Sequence, residues 1–214
     1  MIKPKIQTNI VYKHLVNSKK KIVVEQGGTR SGKTYNILLF IIFHYCTNNN
    51  GKIITICRKT FPSLRATVLR DFLQILREHQ MYREEYHNKS NSEYNLFGNL
   101  IEFTSLDQSQ KIRGRKRDLL FINEANELYW DDWQQLIFRT QERIIIDFNP
   151  SDEYHWIYDN VITREDCQFY KTTYLDNPFL EDVIKEEIER LKETDDEYWQ
   201  IYGLGERATS INTI

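Results

Sequence analysis

Gly27-Gly28-Thr29-Arg30-Ser31-Gly32-Lys33-Thr34 sets glycines, a lysine and a hydroxyl at the spacing G-x-x-x-x-G-K-[ST], the pattern of a loop that wraps a phosphate. Each residue type has a physical task. Glycines let the backbone come close to an anion because no Cβ stands in the way. Successive N–H groups turned inward make an anion-binding concavity. A helix that starts at the end of the loop adds the positive end of its dipole. Lys33 reaches the β- and γ-phosphates, and the Thr34 hydroxyl is a ligand for Mg²⁺. The whole loop, Gly27, Gly28, Thr29, Arg30, Ser31, Gly32, Lys33 and Thr34, is therefore the expected site for ATP with Mg²⁺.

Asp118-Leu119-Leu120-Phe121-Ile122-Asn123-Glu124 is an apolar run that ends in two polar side chains. A buried strand of this kind delivers its last residues to a nucleotide at its C-terminal end. Glu124 is the candidate general base, a carboxylate one water away from the terminal phosphate; its bland alternative is to cap the helix that follows. Where an acid would normally hold Mg²⁺, just before the glutamate, stands Asn123. A neutral amide can still reach the hydration shell that Mg²⁺ keeps. In Asp147-Phe148-Asn149-Pro150, at the tip of another apolar run, Asn149 either senses the γ-phosphate or caps the turn before Pro150. Lys111, Arg113, Arg115, Lys116 and Arg117 form the densest positive cluster, placed to meet a γ-phosphate or a DNA backbone. A charge run is otherwise a solvated loop.

The elements that must position these residues read as alternating strands and helices. Residues 21–26 form a strand before the loop and 35–45 a buried helix after it. A second strand covers 52–57, following the stop signal Asn48-Asn49-Asn50-Gly51. Pro62-Ser63 opens a helix with Leu64, Val68, Leu69, Phe72, Leu73 and Leu76 on one face. Its Arg65 and Arg70, with Arg58 and Lys59, form either a basic patch or a solvated face. Residues 93–104 predict a hairpin turning at Gly98-Asn99. A helix is predicted over 129–139, strands over 143–150 and 169–174, and one long helix over 180–202. That helix turns Val183, Ile184, Ile188, Leu191, Tyr198 and Ile201 inward and stops at Gly203-Leu204-Gly205. Gln7 and Gln26 stand upstream, where some nucleotide-binding proteins use a glutamine to read adenine. The fold class is α/β, a P-loop NTPase of the RecA-like (ASCE) type with a mainly parallel central sheet flanked by helices.

The 214 residues suit one α/β domain. A net charge of −2 excludes a global basic excess, so contact with nucleic acid must come from local patches. The longest apolar run, 37–43, is too short to span a bilayer. Cys46, Cys57 and Cys167 are odd in number and far apart, and the five histidines are scattered, so neither a disulfide framework nor a zinc site is expected.

Five landmarks lie in one order: the phosphate loop; Arg58-Lys59-Thr60-Phe61-Pro62-Ser63-Leu64-Arg65; Phe121-Ile122-Asn123-Glu124-Ala125-Asn126-Glu127-Leu128; Asp147-Phe148-Asn149-Pro150; and Tyr174-Leu175-Asp176-Asn177-Pro178-Phe179-Leu180 with Tyr202-Gly203-Leu204-Gly205-Glu206. Together they resemble the ATPase domain of the large terminase subunit of tailed phages, in the branch found in Gram-positive phages and prophages. The resemblance implies Mg²⁺-dependent ATP hydrolysis coupled to translocation of double-stranded DNA into a procapsid. It implies a homo-oligomeric ring at the portal protein, a small terminase subunit as partner, and action in the host cell cytoplasm with no membrane. On it, Lys33 and Thr34 are the phosphate-loop lysine and metal ligand, Glu124 the catalytic glutamate, and Asn149 part of the coupling motif. Arg30 is placed like an arginine acting in cis on the γ-phosphate, and Arg113 and Arg115 are candidates to act in trans on a neighbour's nucleotide. Residues 1–205 would be the ATPase domain and 206–214 a linker or cut end toward a nuclease domain, so no nuclease site is expected. Two other readings share the phosphate loop: a RecA-like helicase or recombinase, and a nucleotide-binding assembly module whose ATP is structural.

Overall fold

A computed structural model describes residues 5–108 and 115–209. Its centre is an eight-stranded sheet in the order β3-β4-β5-β2-β6-β7-β1-β8. The strands are β1 (Ile22–Gly27), β2 (Ile53–Arg58), β3 (His87–Asn88), β4 (Glu93–Leu96), β5 (Asn99–Ser105), β6 (Arg117–Ile122), β7 (Thr140–Phe148) and β8 (Cys167–Thr172). From β5 to β8 every pairing is parallel; only β3–β4 and β4–β5 are antiparallel. Parallel strands need both faces covered, which is why the central ones are apolar without interruption.

The two faces are sorted residue by residue. Val23, Ile54, Ile56, Leu119, Phe121 and Ile145 point to one side, with α1 (Ile10–Asn17), α2 (33–48) and α3 (61–78). Ile22, Val24, Leu120, Ile122, Ile144 and Ile146 point to the other, where Trp133 and Leu136 of α4 (Trp130–Ile137) and the turn Ile157–Val161 cover them. Both α2 and α3 contain a π-helical turn, Ile41–Tyr45 and Arg65–Leu69. The cysteines are free thiols, and burial pushes Cys46 and Cys57 up to about 12.

Two expectations are corrected. The hairpin turns at Phe97-Gly98, both with positive φ, and not at Gly98-Asn99. Asn99 opens β5 instead, because its buried amide donates to the carbonyls of Cys46, Asn49 and Leu96 while its oxygen accepts from the Lys52 N–H. The long helix is two, α5 (Asp182–Thr194) and α6 (196–203). Asp195 stops the first, and its side chain then accepts from the Tyr198 N–H to cap the second. Val183 and Tyr198 lie on the surface, while Ile184, Ile188 and Leu191 join Tyr174 and Trp199 in a small third core.

The segment leaving α6 returns to the phosphate loop. Gly28 donates its N–H to Thr172 O (3.1 Å) and Thr29 to Tyr202 O (2.7 Å). Gln26 Nε2 donates to Gly205 O (2.7 Å), and Ala208 N–H reaches Pro150 O. A Cβ on Gly28 would stand 2.4 Å from Tyr202 O and 2.7 Å from Gly203 O, both main-chain atoms. Gly28→Ala is therefore expected to force this strap off the loop and to cost about 1–3 kcal/mol, the range for overpacking a close contact. Urea denaturation measures that cost, and accelerated tryptic cleavage at Arg207 reports the displaced strap.

Candidate active site

β1 enters the loop and α2 leaves it, so the phosphate-binding geometry follows from a strand–turn–helix unit. Gly32 sits at φ 77° and is the N-cap of α2 with no side-chain cap. The first N–H groups of a helix lack intrahelical partners, and here they face a cleft of about 400 Å³ bordered by Arg30, Lys33, Thr34, Asn123, Glu124 and Asn149. An uncapped helix start at the floor of a cleft suits an anion. Neighbouring side chains hold the loop in shape. Asn9, the N-cap of α1, donates its amide to Ser31 O (2.8 Å), Asn36 donates to Gly32 O (2.9 Å), and Asn177 donates to Arg30 O (3.0 Å).

Lys33 is buried, and its Nζ donates to Gly28 O (3.2 Å) and Asn149 Oδ1 (2.7 Å). Burial lowers its pKa, opposed by Asp147, Glu124 and Glu25. Asn149 thus meets the lysine at the cleft. Glu124 follows β6 in the left-handed conformation (φ 51°), a costly choice for a residue other than glycine. Its N–H is thereby bound at 2.9 Å to Asp147 Oδ1 while the residue borders the cleft. Burial, and then the nearby Asp147, push its carboxyl up to about 7, with Lys33 and Arg58 opposing.

Asp147 is the site residue that sequence reasoning did not single out. It is the penultimate residue of β7, is fully buried, and accepts from the Thr34 hydroxyl (2.6 Å), the Asn123 amide (2.9 Å) and the Glu124 N–H. Burial raises its pKa against Lys33 and these three donors. The available signal was an acid after three isoleucines on the neighbouring parallel strand: Ile122 pairs with Ile146, so 147 stands beside 123. Arg58 was expected in a basic patch or on a solvated face; it borders the cleft and is held by Glu127 at 3.0 Å. Glu25, fully buried and raised by burial, is not among the residues bordering the cleft and pairs with His14 (3.0 Å), whose ring stacks on Tyr170 at 3.8 Å. Gln26 is tied to Gly205 and to the Tyr158 hydroxyl and is structural.

The arginines separate. Arg30 (φ 59°) is exposed at the cleft. Arg115 is paired with Glu102 (3.0 Å) and Glu93 (3.5 Å) at the β4–β5 edge, away from the cleft of its own chain. Arg113 lies outside the described residues. No group of three or more His, Cys, Asp or Glu among the described residues is arranged to hold a metal ion. Such an arrangement is not required by Mg²⁺, which takes one or two protein oxygens and completes its shell with phosphates and water. The hard oxygens of Thr34 and Asp147, braced by the Asn123 amide, fit it.

A second cavity of about 420 Å³ adjoins the first across Gly32 and Tyr35, which border both. Gln7, Asn177, Tyr35 and Phe179 lie on its walls.

No curated protein matches the chain. Similar solved structures are the large terminase of a thermophilic bacteriophage in complex with ADP (TM-score 0.79, 19% identity, 94% of this chain and 54% of that one) and the ATPase domain of the Thermus phage P74-26 large terminase (0.67, 16%, 95% and 94%). The HK97 bacteriophage large terminase is also similar (0.70, 12%, 96% and 52%). The chain thus spans about half the length of the first and last of these proteins. These likenesses establish the fold, that of the terminase ATPase domains. A sequence profile of the phage terminase large subunit matches residues 19–206, and the chain belongs to that family.

Proposed function

We propose that this chain is the ATP-hydrolysing motor domain of a phage packaging machine, coupling Mg-ATP turnover to movement of double-stranded DNA into a procapsid. The observation that carries the reading is the convergence of Lys33, Thr34, Asn123, Glu124 and Asn149 on one cleft at the mouth of the phosphate loop. The thermophilic-phage terminase, which shares the fold, has been seen with ADP and with ATP-gamma-S. In this chain the triphosphate would lie against the start of α2, with Lys33 leaving Gly28 O and Asn149 to meet it. Thr34 would hold Mg²⁺ in the cleft beside Asn123, with Asp147 behind them, and the cation would neutralise charge on the phosphates. Glu124 would orient the attacking water and take its proton; a carboxyl near neutrality is well matched to that task. Asp147 beside Asn123 favours hydrolysis over the reading in which the nucleotide is structural.

The cavity past Tyr35 would take the adenine, with Phe179 as stacking face and Gln7 and Asn177 as polar partners. Arg30 would act in cis on the γ-phosphate. Arg115, about half exposed beside Glu93 and Glu102, and Arg113 would serve a neighbour's cleft in trans. Portal protein, procapsid, small terminase subunit, a homo-oligomeric ring and the host cytoplasm complete the proposal. No described helix is long and apolar enough to cross a membrane.

Steady-state phosphate release tests the catalytic roles. Glu124→Gln is expected to lose about 10²–10⁴ in kcat, the usual worth of a positioned base, while still binding nucleotide; wild-type turnover in that variant would overturn the assignment. Lys33→Ala is expected to lose nucleotide binding itself. For the base cavity, Phe179→Ala should raise the KM for ATP by roughly 5- to 150-fold, from a base–aromatic stack of about 1–3 kcal/mol, with kcat little changed.

A further inference from the structure

Resting on the nucleotide-site reading, we propose that Asp147 is the acid of the divalent-cation site, transposed from β6 to β7. Position 123, the first after β6, carries an amide, and an amide brings no charge to a cation. The parallel register places 147 beside it, and there the fully buried carboxylate accepts the Thr34 hydroxyl proton at 2.6 Å. A hydroxyl that donates in that direction, and accepts one long bond from Asn123, keeps a lone pair for a cation in the cleft. The Asn123 amide donates to the same carboxylate at 2.9 Å and lies 3.4 Å from the Thr34 oxygen. The asparagine therefore braces the acid, and an acid at 123 would reach the same hydroxyl. Thr34 and Asn123 border the cleft and Asp147 lies behind them. Asp147 is thus a positioning residue, acting through Thr34 and supplying the negative charge under the cation.

The test is the affinity of Mn²⁺ for the protein–ADP complex, read from the free Mn²⁺ signal in electron paramagnetic resonance. Asp147→Asn is expected to weaken that affinity by about 10- to 100-fold, the usual effect of losing a residue that orients a metal ligand. Moving the acid, as Asn123→Asp with Asp147→Asn, is expected to recover most of the loss at unchanged net charge. Wild-type Mn²⁺ affinity in Asp147→Asn, or a transposed variant no better than it, would overturn the proposal. Asn123→Asp alone covers the case in which Asp147→Asn does not fold. With an acid already in place it gains little, whereas a tenfold or greater gain would mean that the site had lacked one. Calorimetry with ADP in EDTA separates the two levels: wild-type protein that binds no ADP there overturns the nucleotide site itself, whatever Asp147 does.

Discussion

A carboxylate taken wholly out of water must be met by donors or a cation, or it disfavours the fold that buried it. Asp147 is in that position, and the way its demand is met organises the site. Its three donors come from the start of α2 and from two consecutive residues after β6. One acid therefore fixes the phosphate loop relative to the strand that carries the general base. The left-handed backbone of Glu124 follows from the same demand: its N–H is committed to Asp147 while the residue still borders the cleft.

Residues whose chemistry is local were legible in the sequence. The phosphate loop, the apolar strands and the apolar faces of α2 and α3 are written in consecutive positions, and each expected strand appears within a few residues of its place, while the two-residue β3 was not expected. Asp147 was hidden because its role depends on a neighbour 24 residues earlier, brought beside it only by parallel pairing. The hairpin was legible and its turn was displaced by one residue, since Asn99 has a buried hydrogen-bonding task that outweighs its liking for turns. Helical periodicity across 180–202 concealed the break at Asp195, because a polar residue can stop one helix and cap the next without disturbing the spacing of apolar positions.

The sheet also explains why two cavities meet at one helix end. The loop after β1 must pass from the sheet to α2, and the bracing of Ser31 and Gly32 by Asn9 and Asn36 leaves open space on both sides of that crossing. Phosphate and base would then share Gly32 and Tyr35 as a common wall. Contacts made by one part of a ligand would be felt by the other without any larger rearrangement.

The strap from Tyr202 to Gly205 completes the floor of the phosphate loop from outside it, accepting the Thr29 N–H and occupying the space that Gly28 leaves free. Shortening the polypeptide ahead of this stretch, or welding a rigid fusion partner directly onto it, would therefore alter the loop's own backbone. The choice of downstream boundary becomes a variable in every nucleotide assay of this domain. Pulling on whatever follows residue 206 would be, mechanically, pulling on the phosphate cradle.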